Sequence, residues 1–315
     1  MTIFKYYNVQ ALPLDKKYKT IGSEGYEQLF KNLKKLVDVA VSKNQIISVS
    51  ASLRNHFHIA PIEVIFHEGM ISGKFIKYDE VHEVIETLSK KKKYTATSAE
   101  SSKVFEYEFV FDSVTHILAI ENGKSIPACN PLIEAFHDIL TPSLKKDYKN
   151  HQLHIIELNA AQDLEEVIDN AKSYLQVKTD ITFSNSQDWQ NGIEDEIAEI
   201  EQELKDKNIN ELHHQEKAAK SSTMTEPSKR AYAYMALSCK FGNSEITYKN
   251  KDGEKEKFIM KEHPVKLPVS KSVEGKELSH LDFLYEVKNS IRKANQLTKA
   301  GMKILNKLKG KFTNK

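Results

Sequence analysis

The apolar residues of this chain fall into short runs whose period switches between two and about 3.6, and no uncharged run approaches the roughly 20 residues that span a bilayer. That pattern restricts the fold to strands and amphipathic helices sharing buried cores. A first strand is expected over Ile3 to Leu12, ending at Pro13. In Tyr26, Leu29, Phe30, Leu33, Leu36 and Val37 the spacing becomes three and four, which predicts a helix with one buried face, with Ser23 as its cap. Ile46 to Leu53, Ile59 to His67 and Met70 to Tyr78 read as antiparallel strands, the last two joined at Glu68-Gly69. Asp79 to Ser89 reads as a short helix with Val81, Val84, Ile85 and Leu88 inward, running into a mobile lysine-rich loop that continues over Thr95 to Ser102.

Val104 to Phe111 and His116 to Glu121 form a predicted hairpin, and Leu132 to Leu140 a helix with Pro131 in its first turn. A second set follows: strand His151 to Leu158, helix Asp163 to Ala171 and strand Val177 to Phe183. Ile193, Ile197, Ile200 and Leu204 mark a long acidic helix that Ile209 and Leu212 extend. After a helix from Ser228 to about Cys239 comes the strongest local signal, strands Ser244 to Lys249 and Lys255 to Met260 around Asp252-Gly253, where Gly accepts positive φ without a steric penalty. Residues 264 to 279 read as irregular and Leu281 to Leu308 as a long final helix. The fold class is therefore α+β, with antiparallel-rich sheets, flanking helices, a long acidic helix and a long basic C-terminal one. The expected division is an N-terminal domain over 1–150, a second over 151–268, and a basic amphipathic helix and tail over 281–315.

Charge is segregated along this sequence. Residues 158–216 hold 4 basic and 15 acidic side chains, residues 217–315 hold 22 and 10, and residues 288–315 hold nine basic side chains and no acid. Segregation of this kind bears on partners and steering rather than on fold, and a polyanion fits the basic end. On the final helix an advance of about 100° per residue puts Leu284, Val287, Ile291, Ala294 and Leu297 on one side and Lys288, Arg292, Lys299, Lys303 and Lys307 on the other, with Lys293 beside them. Lys90, Lys91, Lys92, Lys93 and Arg54 form a second basic set, with Tyr94 and Phe57 as aromatic neighbours. A cationic face of this type tracks phosphates, lies on anionic lipid, docks on an acidic protein surface, or is simply solvated.

No motif here fixes a chemical activity. Phosphate-cradling glycine loops, His-Glu-x-x-His, Gly-x-Ser-x-Gly and Cys-x-x-Cys are missing from the sequence, so no cofactor and no metal is expected. His56, His58 and His67 read as surface or packed histidines rather than ligands. The nuclease-like triplets Glu274-Gly275-Lys276 and Glu286-Val287-Lys288 fall on a loop and a helix, and Cys129 has no obvious paired base. His213 and His214 are expected at a helix end, where a cation suits the dipole. Two lone cysteines and an N-terminus without signal-peptide layout point to the cytoplasm.

Tyr107-Glu108-Phe109-Val110-Phe111-Asp112 followed by His116, Thr179-Asp180-Ile181-Thr182, and Lys249-Asn250-Lys251-Asp252-Gly253 leading to Lys261-Glu262-His263-Pro264 resemble a bacterial family of unknown function. Its members are often encountered among mobile-element and phage-defence genes, and the resemblance covers about residues 1–268. In element order and in the Asp-Gly hairpin the chain is also distantly similar to the Rex A exclusion protein of a temperate phage, which implies nucleic-acid binding and self-association. The leading expectation is a cytoplasmic, homo-oligomeric nucleic-acid-binding sensor or effector of phage defence, with DNA ranked ahead of RNA and a possible partner protein encoded nearby. The alternatives are an interaction module whose basic helix docks on an acidic partner, and a metal-dependent nuclease.

Overall fold

The computed structural model describes residues 1–15, 17–81, 83–96, 100–182, 206–207, 209–273 and 275–299. The elements run β1 (Thr2–Pro13), α1 (Ser23–Ser42), β2 (Ala51–Ser52), β3 (Phe57–His67), β4 (Met70–Asp79), β5 (Glu83–Ile85), β6 (Lys92–Thr95), β7 (Val104–Asp112), β8 (Ile117–Glu121) and α2 (Cys129–Asp147). They continue with β9 (His151–Glu157), α3 (Ala161–Asn170), β10 (Ala171–Thr182), β11 (Glu211–Lys217), α4 (Lys229–Phe241), β12 (Gly242–Asn250), β13 (Lys255–Ile259), β14 (Lys266–Val269), β15 (Ser272–Val273), β16 (Lys276–Glu277) and α5 (His280–Lys299). The expected α+β class with antiparallel sheets is what forms. Two compact units arise from interleaved segments, one from Met1–Phe4, Ile21–Ile155 and Pro268–Lys288, the other from Lys5–Thr20, Ile156–Leu267 and the chain from Asn289.

In the first unit the strands are ordered β8-β7-β4-β3-β2, every neighbour antiparallel. Glu68-Gly69 closes the β3–β4 hairpin, with Gly69 at φ +68°. Helix α1 packs on β3 and on α2. Its apolar stripe meets the aromatic residues of β7, which in turn meet β4 and through it α2: ring centroids of Phe30 and Phe111 are 4.6 Å apart, of Phe75 on β4 and Phe109 4.9 Å, and of Phe75 and Phe136 on α2 5.5 Å. Offset and tilted ring pairs of this kind each add about 0.5–1.5 kcal/mol beyond their area burial. At the unit's other edge Lys271 Nζ lies 3.0 Å from Glu108 and 3.2 Å from Glu121.

In the second unit the sheet order is β11-β10-β12-β13, and α3 and α4 cover one face with Leu164, Val167, Ala231, Tyr232, Met235 and Cys239 against Tyr174, Val177, Ile246 and Phe258. Burial drives the Cys239 thiol up to about 12, so it is a packed apolar group rather than a nucleophile. Ser228 caps α4 by accepting from the Ala231 N–H at 3.2 Å. Glu216 of the edge strand β11 extends that cap: it accepts from the Ser228 N–H at 2.9 Å and from the Ser228 hydroxyl, and Nε2 of His214 lies 3.1 Å away. Burial alone would raise the Glu216 carboxyl, but these hydrogen bonds together hold it below the usual carboxylate value. One carboxylate thus ties the sheet edge to a helix start.

Several expectations are corrected. Of residues 79–89 none that is described is helical: β5 and β6 form a separate two-stranded ribbon in which Val84 faces Tyr94, and Val84, Ile85 and Leu88 are exposed. No core is available to those residues, and β-branched Val84 and Ile85 gain a cross-strand partner instead. Consequently Lys92 and Lys93 belong to a strand rather than a mobile loop. Ser23 is the first helical residue, not the cap; extended Gly22 takes that position and the Ser23 hydroxyl lies 3.3 Å from Ser113. Ile46–Val49 is a 3-10 turn before the two-residue β2, and residues 264–279 contain β14 and the small β15–β16 ladder. The acidic helix expected from Ile193 lies outside the described residues up to position 205, and Leu212, His213 and His214 stand in β11, with Leu212, His214 and Glu216 turned inward by strict alternation.

Two stability outcomes follow from these contacts. A Cβ on Gly242 would sit 1.8 Å from the Asp180 carbonyl oxygen, so Gly242→Ala must push β12 off β10 and is expected to cost about 1–3 kcal/mol in denaturant unfolding. Glu216→Ala is expected to cost about 1–3 kcal/mol at neutral pH. Because the folded Glu216 pKa is depressed, its contribution is present above the ordinary value of 4.5 and is lost as pH falls through the folded value, so the two unfolding curves should converge in acid.

Candidate nucleic-acid interface

Helix α5 starts from a local cap in which the Ser279 hydroxyl accepts from the Asp282 N–H at 3.2 Å and donates to its carboxylate at 2.6 Å. Leu284, Val287, Ile291, Ala294 and Thr298 are buried along one side. The helical advance then fixes what faces water: Arg292 and Lys293 are exposed opposite that stripe, and Lys288 flanks it half-buried. Asp282 and Glu286 occupy the first two turns and the three cations follow, an order that complements the helix dipole. Among the described residues no ion pair joins Lys288, Arg292 or Lys293 to a carboxylate. The side chain of Lys299, and Lys303 and Lys307 altogether, lie outside the described residues.

The second basic set is arranged differently. Lys92 Nζ is 2.9 Å from Glu83 and Lys93 Nζ is 3.8 Å from Glu86, so half of the tetralysine is paired at the surface. Lys90 and Lys91 form the return of the ribbon's turn, Lys90 with φ +57° and its N–H on the Glu86 carbonyl at 2.9 Å, while the Lys91 carbonyl accepts from the Glu86 N–H at 2.9 Å. Arg54 is exposed in the β2–β3 turn, ahead of Asn55 and His56, both in the left-handed region at φ 60° and 58°. Of the aromatic neighbours, Tyr94 is exposed, but Phe57 is half-buried with Lys77 Nζ 4.6 Å from its ring centre. One face of Phe57 is therefore already covered by a cation.

The titratable side chains do not assemble a metal centre: among the described residues no group of three or more His, Cys, Asp or Glu is placed to hold an ion. His58 is buried against Tyr78 at 5.5 Å with Glu80 3.5 Å away, whereas His67 bonds Ser72 at 3.2 Å and neighbours His280 at 5.3 Å. Glu286-Val287-Lys288 lies on α5 with Val287 buried, and Glu274 lies outside the described residues. Two polar groupings that sequence reasoning missed are in the second unit. Lys5 Nζ and the Tyr7 hydroxyl both meet Glu157 Oε1 at 3.0 Å, a buried ion pair whose partners are 152 positions apart. On the outer sheet face His213 Nδ1 lies 2.7 Å from Asp180, which raises the imidazole above its ordinary value through that hydrogen bond and the carboxylate charge. The sole sequence signals for these were a charged residue inside an apolar strand pattern and the two adjacent histidines.

Residues 5–288 match a family described as a domain of unknown function, DUF4747. The match runs past the expected limit near residue 268, taking in the first half of α5 with Lys288 while leaving Arg292 and Lys293 outside. No curated protein matches the chain. With so much of its length inside that match, the chain belongs to the DUF4747 family.

Proposed function

We propose that this chain binds a nucleic acid, DNA ahead of RNA, through electrostatic contacts to the phosphate backbone made by the outer face of α5. The observation that carries the reading is the combination on one helix of a buried apolar stripe with Arg292 and Lys293 exposed opposite it and Lys288 at its flank, all three without carboxylate partners among the described residues. Burial of the stripe holds the helix rotationally, so the cations stand at fixed spacing rather than on a loose tail. Phosphate neutralisation by such side chains releases condensed counterions, and this entropic gain supplies affinity without base preference. Arg54, Lys90 and Lys91 add secondary contacts, and Lys299, Lys303 and Lys307 extend the same cationic run in sequence. The resemblance to a family whose members are often encountered among mobile-element and phage-defence genes is what favours a role as a cytoplasmic, self-associating sensor or effector in such a system.

Fluorescence anisotropy with a labelled duplex tests the reading. The wild-type chain is expected to bind with an affinity that falls steeply between about 50 and 200 mM salt and changes little with sequence. Charge reversal of Lys288, Arg292 and Lys293 together is expected to weaken binding at least tenfold and to reduce the salt slope by about three. Absence of binding at low salt, or binding indifferent to the triple reversal, contradicts the proposal. If the reversal instead abolishes self-association and leaves duplex binding intact, the basic helix is a protein-docking element.

A further inference from the structure

We infer that the β5–β6 ribbon is a duplex-contacting arm, in which Lys90 and Lys91 hold phosphates while Leu88 at the tip enters the groove between them; this deepens the nucleic-acid reading and rests on it. Every residue from Glu83 to Thr95 is exposed, and among the described residues the two strands pair with each other and with no other sheet. Both faces of the ribbon are therefore open to solvent, although the Tyr94 hydroxyl bonds to Glu100 beyond it. A two-stranded hairpin on its own is at best marginally stable in water, and this one is braced at its turn rather than by packing. Glu86 provides the brace: its N–H donates to the Lys91 carbonyl at 2.9 Å, its carbonyl accepts from Lys90 N–H at 2.9 Å, and its carboxylate accepts from the Ser89 hydroxyl. The turn so ordered presents Leu88 with 94% of its surface open. Val84, Ile85 and Tyr94 lie behind it, each also exposed.

Charge selects the occupant. Glu83 and Glu86 are matched by Lys92 and Lys93, so the net positive charge of the ribbon resides in Lys90 and Lys91, which have no carboxylate partner among the described residues and stand immediately beside the apolar tip. An apolar point flanked by unpaired cations on a two-stranded ribbon suits the DNA major groove, which is wide enough to admit such a ribbon between two lines of phosphate. A bilayer suits it less well. One leucine at a tip, with acidic side chains in the strand behind it, buries far less apolar surface than an acyl chain, and even that anchors a protein only marginally.

The test uses the full chain and a labelled duplex of about 20 base pairs, long enough to cover roughly two helical turns. Lys90→Glu with Lys91→Glu is expected to weaken binding about tenfold and to lower the salt slope by about two. Leu88→Asn is expected to weaken binding several-fold with the slope unchanged, separating groove contact from phosphate contact. Reversal of two exposed cations elsewhere, Lys31→Glu with Lys35→Glu on α1, is the control for net charge and is expected to change affinity much less. All these side chains are exposed, and unchanged circular dichroism verifies that each variant folds. The inference is overturned if the ribbon variants bind as wild type while the α5 reversal abolishes binding, a result that leaves the broader reading standing. It is overturned together with that reading if the wild-type chain binds no duplex. It is also overturned if the ribbon reversal is matched by the α1 control, or if Leu88 proves necessary only for binding vesicles containing phosphatidylserine.

Discussion

Burial of Leu284, Val287, Ile291 and Ala294 on α5 is the constraint on which the functional account depends. A helix free to rotate would distribute its charges over all directions, and its cations would be no more than a solvated coat. Fixing one stripe against the protein fixes the opposite side as well, because side chains separated by half a turn cannot exchange places. Arg292 and Lys293 are thereby held outward and Lys288 at the flank. The energetic source of this arrangement is hydrophobic, since full burial of Leu284, Val287 and Ile291 contributes about 1.5–3 kcal/mol each. The cations add little to stability, which leaves their charge available to a partner.

Elements whose signal is local were legible in the sequence. Asp252-Gly253 between alternating runs fixed the β12–β13 hairpin, and Gly253 indeed takes φ +86°. The three-and-four spacing of Tyr26 to Val37 and of Leu284 to Ala294 marked helices because one stripe on each is buried. The Phe-rich alternation of β7 was equally plain, since Phe109 and Phe111 meet the rings of α1 and β4. Where period failed, a distant partner decided. Val81, Val84, Ile85 and Leu88 fit a helix as well as a ribbon, and the choice lay with Tyr94, across a turn and the tetralysine. Strand β11 carries one apolar residue, Leu212, so its alternation is written in His214 and Glu216, which no hydrophobic pattern detects.

The candidate site was legible to a similar degree and for the same reason. The α5 cations could be assigned because they follow the helical period of a stripe that had to be buried. The state of the tetralysine could not, since pairing of Lys92 with Glu83 depends on a strand register set by the ribbon. Likewise Phe57 looked open in sequence and is covered on one face by Lys77 from the neighbouring strand. Carboxylates in the second unit show a further division of labour. Glu157 is consumed by Lys5 and Tyr7, tying together segments far apart in sequence, and Glu216 by Ser228 and His214, tying a sheet edge to the helix start that follows it. Acidic residues of that kind hold the fold and are not available to neutralise α5.

Lysine acetylation read by mass spectrometry, with and without saturating duplex, measures the central claim most directly because it reports each ammonium group separately. The account requires Lys288 and Lys293 to lose reactivity when duplex is present, while exposed lysines of α1 such as Lys31 and Lys35 keep theirs. Equal reactivity of Lys288 and Lys293 in both states, or protection confined to α1, would contradict it.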